Sequence, residues 1–135
     1  MNGLPLTFFR IQGKIRRVQR RRFLRLKFVS QGTVITPENR AVPFVSFDVS
    51  AGGMKIGVKT RLQVGTIVRI NFRFDETLEL VNQEAKVIRE IESEEKSTGI
   101  YYYGIEFFNM PLSTQDKIMR FIFKLELKSR GGNEE

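Results

Sequence analysis

The sequence predicts an all-β fold with a C-terminal helix, six or so strands in an antiparallel barrel or sandwich, and three observations carry that reading. Apolar and polar residues alternate with a period of two along much of the chain between Phe23 and Phe108. Clusters of turn residues interrupt the alternation at short intervals, as in a meander of strands and unlike a βαβ unit. Only after Pro111 does the apolar spacing lengthen to that of a helix. A length of 135 residues supports one hydrophobic core, so these elements form a single module.

The elements follow in order. Residues 1–18 carry little alternation, run through Pro5 and Gly13, and read as a linker or tether. The domain is expected over 19–130. Its first strand starts at Phe23, where Leu24, Leu26 and Phe28 share one face and Arg25 and Lys27 the other. Gly32, Pro37, Glu38 and Asn39 punctuate the chain before a β-branched and aromatic run from Val42 to Val49, in which Pro43 suits an edge or strand start. Beyond the turn Ser50-Ala51-Gly52-Gly53, Met54, Ile56 and Val58 alternate with Lys55 and Lys59. Thr66 to Phe74 repeats the pattern, Asp75 and Glu76 turn it into Thr77 to Ile91, and Gly99 to Phe108 is the last strand. A helix is expected over about 113–129, with Ser113 and Asp116 as a capping-box-like start and Lys128 to Gly131 as its end. Ile118, Phe121, Ile122 and Leu125 form its core stripe, and Met119, Phe123 and Leu127 a second line that either buries in a groove or meets a partner. Residues 131–135 read as a disordered tail.

Composition excludes much chemistry. With no His and no Cys, the chain lacks the commonest general base, the thiolate nucleophile and the usual transition-metal ligands, so no catalytic residues, metal or cofactor are assigned. The acidic cluster Glu90, Glu92, Glu94 and Glu95 adjoins Lys96 to Gly99 and reads as a solvated loop. No P-loop or nucleophile elbow is present, and an enzyme is not expected. No apolar run approaches the roughly 20 residues of a membrane span, no secretion signal opens the chain, and the absence of cysteine fits the cytoplasm.

Charge supplies the positive clue. The net charge is +8, and Lys14, Arg16, Arg17, Arg20, Arg21, Arg22, Arg25 and Lys27 fall in one stretch without a single acid, while the remaining 15 basic residues balance 15 acidic ones. A neutral domain with one concentrated basic segment points to a local anionic partner.

Two short motifs make this specific. Arg21-Arg22-Phe23-Leu24-Arg25, preceded by Arg20, sits where the linker enters the first strand, and Asp48-Val49-Ser50-Ala51-Gly52-Gly53 forms the turn between two strands. In this order and context they resemble the RxxxR and D/N-x-S-x-x-G motifs of the PilZ family, and the likeness extends through the strand run, Tyr103-Gly104-Ile105-Glu106-Phe107 and the final helix. The resemblance implies an antiparallel six-stranded PilZ-type β-barrel that binds cyclic di-GMP and passes the signal to a protein partner. By it, Arg21 and Arg25 form the arginine pair and Arg20 stacks on or bonds a guanine. Asp48 accepts from guanine N1 and N2, Ser50 adds a hydroxyl contact, and Gly53 permits close backbone approach or positive φ. Arginine suits both ligand features, since its planar fork pairs with a phosphate or with guanine O6 and N7. Taken without the resemblance, Asp48 and Ser50 also read as turn-stabilising side chains.

The approach Ile15 to Arg21 looks like the linker of flagellar-brake proteins, which implies control of motility, flagellar motor or switch components as partners, and a cytoplasmic site at the flagellar basal body. The start Met1-Asn2-Gly3 reads as a fragment that lacks an N-terminal domain. The second helical line offers a surface for a homodimer. Two alternatives stand beside this reading: a ligand-independent adaptor of the same fold, and a nucleic-acid-binding β-barrel with Phe23 and Phe28 as stacking residues. Against the latter, Tyr101, Tyr102 and Tyr103 alternate faces and cannot form one platform.

Overall fold

The computed structural model describes residues 23–92 and 99–134, with 130–134 as backbone alone. It contains β1 (Leu26–Lys27), β2 (Gln31–Ile35), β3 (Ala41–Val49), β4 (Gly53–Val58), β5 (Ile67–Arg73), β6 (Glu79–Ile91), β7 (Tyr101–Phe107) and α1 (Leu112–Glu134). All pairings are antiparallel, in the order β1-β3-β2-β5-β6-β7-β4. A further pairing of β3 with β4 closes strands β2 to β7 into a six-stranded barrel, which leaves those six without a free sheet edge.

The barrel is filled by the inward half of each alternating run. Val34, Phe44, Ile56, Ile70, Phe72, Val87, Tyr103 and Ile105 are all buried, and each aliphatic or aromatic side chain so placed contributes roughly 1.5–3 kcal/mol. The tyrosine run divides as its alternation requires: Tyr103 points inside, and its hydroxyl accepts the Leu62 N–H at 2.9 Å, while Tyr102 packs outside against Phe47, the two rings tilted at 59°. At the β5–β6 turn, the Asp75 carboxylate accepts the Thr77 and Leu78 amides, both at 2.8 Å, which draws Asp75 below its ordinary carboxylate value.

One strand is placed differently from the sequence reading. The run from Phe23 to Phe28 shrinks to the two-residue β1, and the barrel stave is β2, centred near the Gly32 that the composition presents as punctuation. Glycine is required there by packing, since a Cβ at position 32 would collide with the Phe44 ring and the Asn71 carbonyl. β1 and β2 run along the same edge of β3, one residue out of register. The buried Ser46 hydroxyl bridges the break by donating to the Phe28 carbonyl at 2.6 Å and accepting the Ser30 N–H at 3.1 Å.

The helix packs as its core stripe predicts. Ile118 and Ile122 are fully buried, and Phe121 meets Phe28 and Phe74 edge-on at 5.4 and 5.3 Å. Its ends differ from expectation. Ser113 lies inside the helix rather than at its cap, because Gln115 N–H already bonds the Pro111 carbonyl. At the other end the helix continues through Gly131 and Gly132 to Glu134, where a C-cap glycine and a tail were expected. The second line stays uncovered: Met119, Phe123 and Leu127 are 44%, 58% and 51% exposed. Among the described residues, no helix is long and apolar enough to cross a membrane.

Candidate functional site

The turn between β3 and β4 is built by Ser50. Its buried hydroxyl accepts the Gly52 N–H at 3.1 Å and the Gly53 N–H at 3.2 Å, and donates to the Gly53 carbonyl. The Ser50 N–H bonds the same carbonyl at 2.9 Å. The hydroxyl therefore fixes the turn from within, the structural role that the motif allows beside a ligand contact.

Gly53 answers the choice between close approach and positive φ in favour of the first. Its φ lies outside the left-handed region, whereas a Cβ there would overlap the Ile105 carbonyl oxygen of β7. Gly53 pairs with Glu106, and the Phe107 N–H bonds the Gly52 carbonyl at 2.9 Å, so the turn is clamped flat against β7.

Arg25 reaches this turn through β1. Leu26 pairs with Val49 and Lys27 with Asp48, which brings exposed Arg25, one residue earlier, towards the Ser50 end of the hairpin. Phe23 marks the same approach, with its ring 2.9 Å from where a Cβ on Gly52 would stand. The structure thus gathers Arg25, Asp48, Ser50 and Gly53 at one hairpin, with Arg25 exposed, Asp48 half-buried, and Ser50 and Gly53 buried beneath them. Arg20 and Arg21 lie outside the described residues, as do Glu94 and Glu95 of the acidic loop.

Register also reveals neighbours that the sequence does not single out. Asp48 faces Lys27 on one side and Lys55 on the other; Lys55 faces Gly104, and Gly104 faces Arg89. Directly opposed residues in antiparallel strands share a face and stand about 5 Å apart, so these five positions make one transverse row over the outside of the barrel. A bulge between Ser46 and Asp48 and another between Val87 and Arg89 set that alignment. No local pattern reports it, because the members come from five strands.

The row is furnished in a particular way. The Lys55 ammonium lies 5.9 Å from the Phe47 ring centre and 5.6 Å from that of Tyr102, and the two rings pack at 5.4 Å. Arg89 lies across the gap left by Gly104: its Cγ and Nε are each 3.7 Å from where a Cβ on Gly104 would stand. Phe28, the second stacking candidate of the nucleic-acid reading, is turned inward onto Phe72, Phe74 and Phe121 and offers no surface platform. Among the described residues no group of three or more His, Cys, Asp or Glu side chains could hold a metal ion.

Comparison with known proteins bears on this arrangement. The chain resembles the PilZ domain with c-di-GMP of YcgR from Escherichia coli, with a TM-score of 0.65 and 22% identity over 87% of this chain and 99% of that one. It also resembles the Bacillus subtilis inhibitor of motility MotI/DgrA, with a TM-score of 0.67 and 20% identity over 82% of this chain and 53% of that one. The K. pneumonia MrkH–c-di-GMP complex gives a TM-score of 0.69 and 21% identity over 85% and 56% of the two chains. This chain therefore spans about half the length of the latter two proteins. At such identities the likeness speaks for the fold. No curated protein matches the chain in sequence. The family model for the PilZ domain, however, matches residues 19–124, which takes in both motifs, the closed barrel and most of α1. The chain belongs to the PilZ domain family.

Proposed function

We propose that this chain is a non-enzymatic receptor for cyclic di-GMP that relays the second-messenger signal to a protein partner. The observation that carries the reading is the convergence of Arg25 and Asp48 at a hairpin already fixed by Ser50 and Gly53. A carboxylate can take guanine N1 and N2 donors, and an adjacent arginine can pair with a phosphodiester or with guanine O6 and N7. The named YcgR and MrkH structures contain c-di-GMP, which supports the same ligand here.

Binding orders the basic segment from Lys14 to Arg25, with Arg20 and Arg21 among its contacts, against the Asp48–Gly53 turn. A route from there to α1 runs through Phe28, which follows β1 directly and packs against Phe121. The exposed line Met119, Phe123 and Leu127 on α1 is the surface for a partner or a homodimer. Likeness to YcgR and to an inhibitor of motility supports flagellar motor or switch components as the partner, and with them a cytoplasmic site at the flagellar base.

Isothermal titration with cyclic di-GMP at near-physiological salt, with GTP and a short RNA as controls, tests the reading. Saturable binding selective for cyclic di-GMP is expected. Absence of heat together with an unchanged melting temperature would leave a ligand-independent adaptor. RNA binding that falls steeply with salt and shows no preference for the cyclic dinucleotide would point instead to a nucleic-acid module.

A further inference from the structure

The structure assigns a second cationic half-site to Lys55 and Arg89, which we infer to be the prebuilt wall on which the part of the dinucleotide remote from Arg25 rests. The inference builds on the cyclic di-GMP reading and extends it to residues outside the two motifs.

Position comes first. Lys55 stands beside Asp48 in the transverse row, on the side away from Lys27, and Arg89 stands two strands beyond it across Gly104. A ligand that engages Arg25 and Asp48 and extends along the outside of the barrel meets these two cations next. The strand spacing of about 4.8 Å places them within one dinucleotide's reach of Asp48.

Each side chain is also held. Lys55 is confined by Phe47 and Tyr102, which keep the ammonium near the barrel wall instead of letting it sample solvent. Arg89 leans across Gly104, where the missing side chain opens a trough directed at β4 and Lys55. Ile91 closes one flank of that trough, with its Cδ1 3.9 Å from the same point. The guanidinium therefore presents a plane or fork in a set place, suited to guanine, while Lys55 supplies a point charge suited to a phosphodiester.

Neither cation is taken up by an ion pair, as several other surface cations are. Arg73 is paired with Glu79, Arg120 with Asp116, Arg69 bonds Asn39, and Arg61 lies over Tyr101. Among the described residues, no carboxylate lies within 4.0 Å of the charged end of Lys55 or Arg89. Two positioned cations free of ion pairs, in a row that holds the Asp48 carboxylate, make a site for an anion that also carries hydrogen-bond donors, which a guanine dinucleotide is.

The test titrates cyclic di-GMP into the unmodified chain, Arg89→Ala, Arg89→Lys, Lys55→Gln and, as a control of equal charge loss, Arg73→Ala. Arg89→Ala is expected to weaken binding about tenfold or more, the effect of losing one good bidentate contact. Arg89→Lys should restore little of that loss, Lys55→Gln should flatten the salt dependence, and Arg73→Ala should bind as the parent does. Melting temperatures of all variants should stay near that of the parent, since both side chains are outside the core. Parent-like affinity of Arg89→Ala and Lys55→Gln, with the unmodified chain binding well, would overturn the half-site and leave the receptor reading intact. An unmodified chain that does not bind cyclic di-GMP would remove both.

Discussion

The Asp48–Gly53 turn and the segment that brings Arg25 to it lie side by side, yet they are held in opposite ways. The turn sits between two strands of a closed barrel, with its serine hydroxyl bonded three times within it and its glycine pressed onto the β7 backbone. β1 has two residues, pairs only with the edge of β3, and stays in place through the Ser46 bridge and the burial of Phe28. One half of the site is a product of folding. The other half is a short strand with little of its own to hold it, so ligand contacts can change its order at small energetic expense. That asymmetry separates changes that damage the scaffold from changes that damage binding alone.

The largest effect is expected from Gly53→Ala. Even one methyl group must displace the Ile105 carbonyl, which belongs to backbone and cannot move aside as a side chain would. A loss of about 3 kcal/mol in folding stability follows, at the upper end for overpacking, with ligand affinity falling as the turn distorts. Chemical denaturation of parent and variant measures it. Unchanged stability would mean that the turn is not clamped by β7.

Arg25→Ala should show the converse. Stability should change by less than about 0.5 kcal/mol because the side chain is exposed, whereas cyclic di-GMP binding should weaken by about 1–3 kcal/mol, five- to hundredfold. Titration together with thermal melting separates the two quantities. Ser50→Ala falls between these cases: with the Gly52 and Gly53 amides left without their acceptor, roughly 1–2 kcal/mol of stability should go, and affinity should drop only as far as Asp48 is displaced. A binding loss in Ser50→Ala with full stability would give the hydroxyl a direct ligand contact instead.

How much of this could be read from the sequence follows the same division. The motif residues and the alternating strands are local patterns, and the Asp48–Gly53 hairpin, the Asp75 turn and the core face of α1 were all legible in them. β2 was not, because Gly32 presents the composition of a break while serving the packing of Phe44 across the barrel. The helix ends were not, because two glycines and a misplaced capping serine carry weaker signals than the continuing helix overrides. Nor were Lys55 and Arg89, whose alignment with Asp48 depends on two bulges and three strand registers that no window of sequence contains. The uncovered stripe of α1 was visible as a pattern, but only the packing of Ile118 and Ile122 decides which side of the helix faces outward.

The smallest effect tests the wall behind the row. Tyr103 precedes Gly104 on β7, is fully buried, and ties that strand to the Leu62 amide. Tyr103→Phe keeps the ring and loses the acceptor, so about 1 kcal/mol of stability should be lost at neutral pH, with little change in ligand affinity. The difference should then depend on alkaline pH in a definite direction. Burial, reinforced by the negative charge of Glu90, raises the Tyr103 phenol above its ordinary value of 10.0. A phenol whose folded value exceeds its unfolded one stabilises the fold fully below pH 10.0, and that contribution fades as pH climbs from there through the folded value. Phenylalanine has no such limb, so the stability gap between parent and variant should narrow above pH 10.0 and can reverse. Denaturation curves at neutral pH and at several values above pH 10.0 measure the gap; one that stays constant would show the phenol ionising as freely in the folded chain as in the unfolded one, and the β7 wall would then be open to water where the packing of the row requires it to be closed.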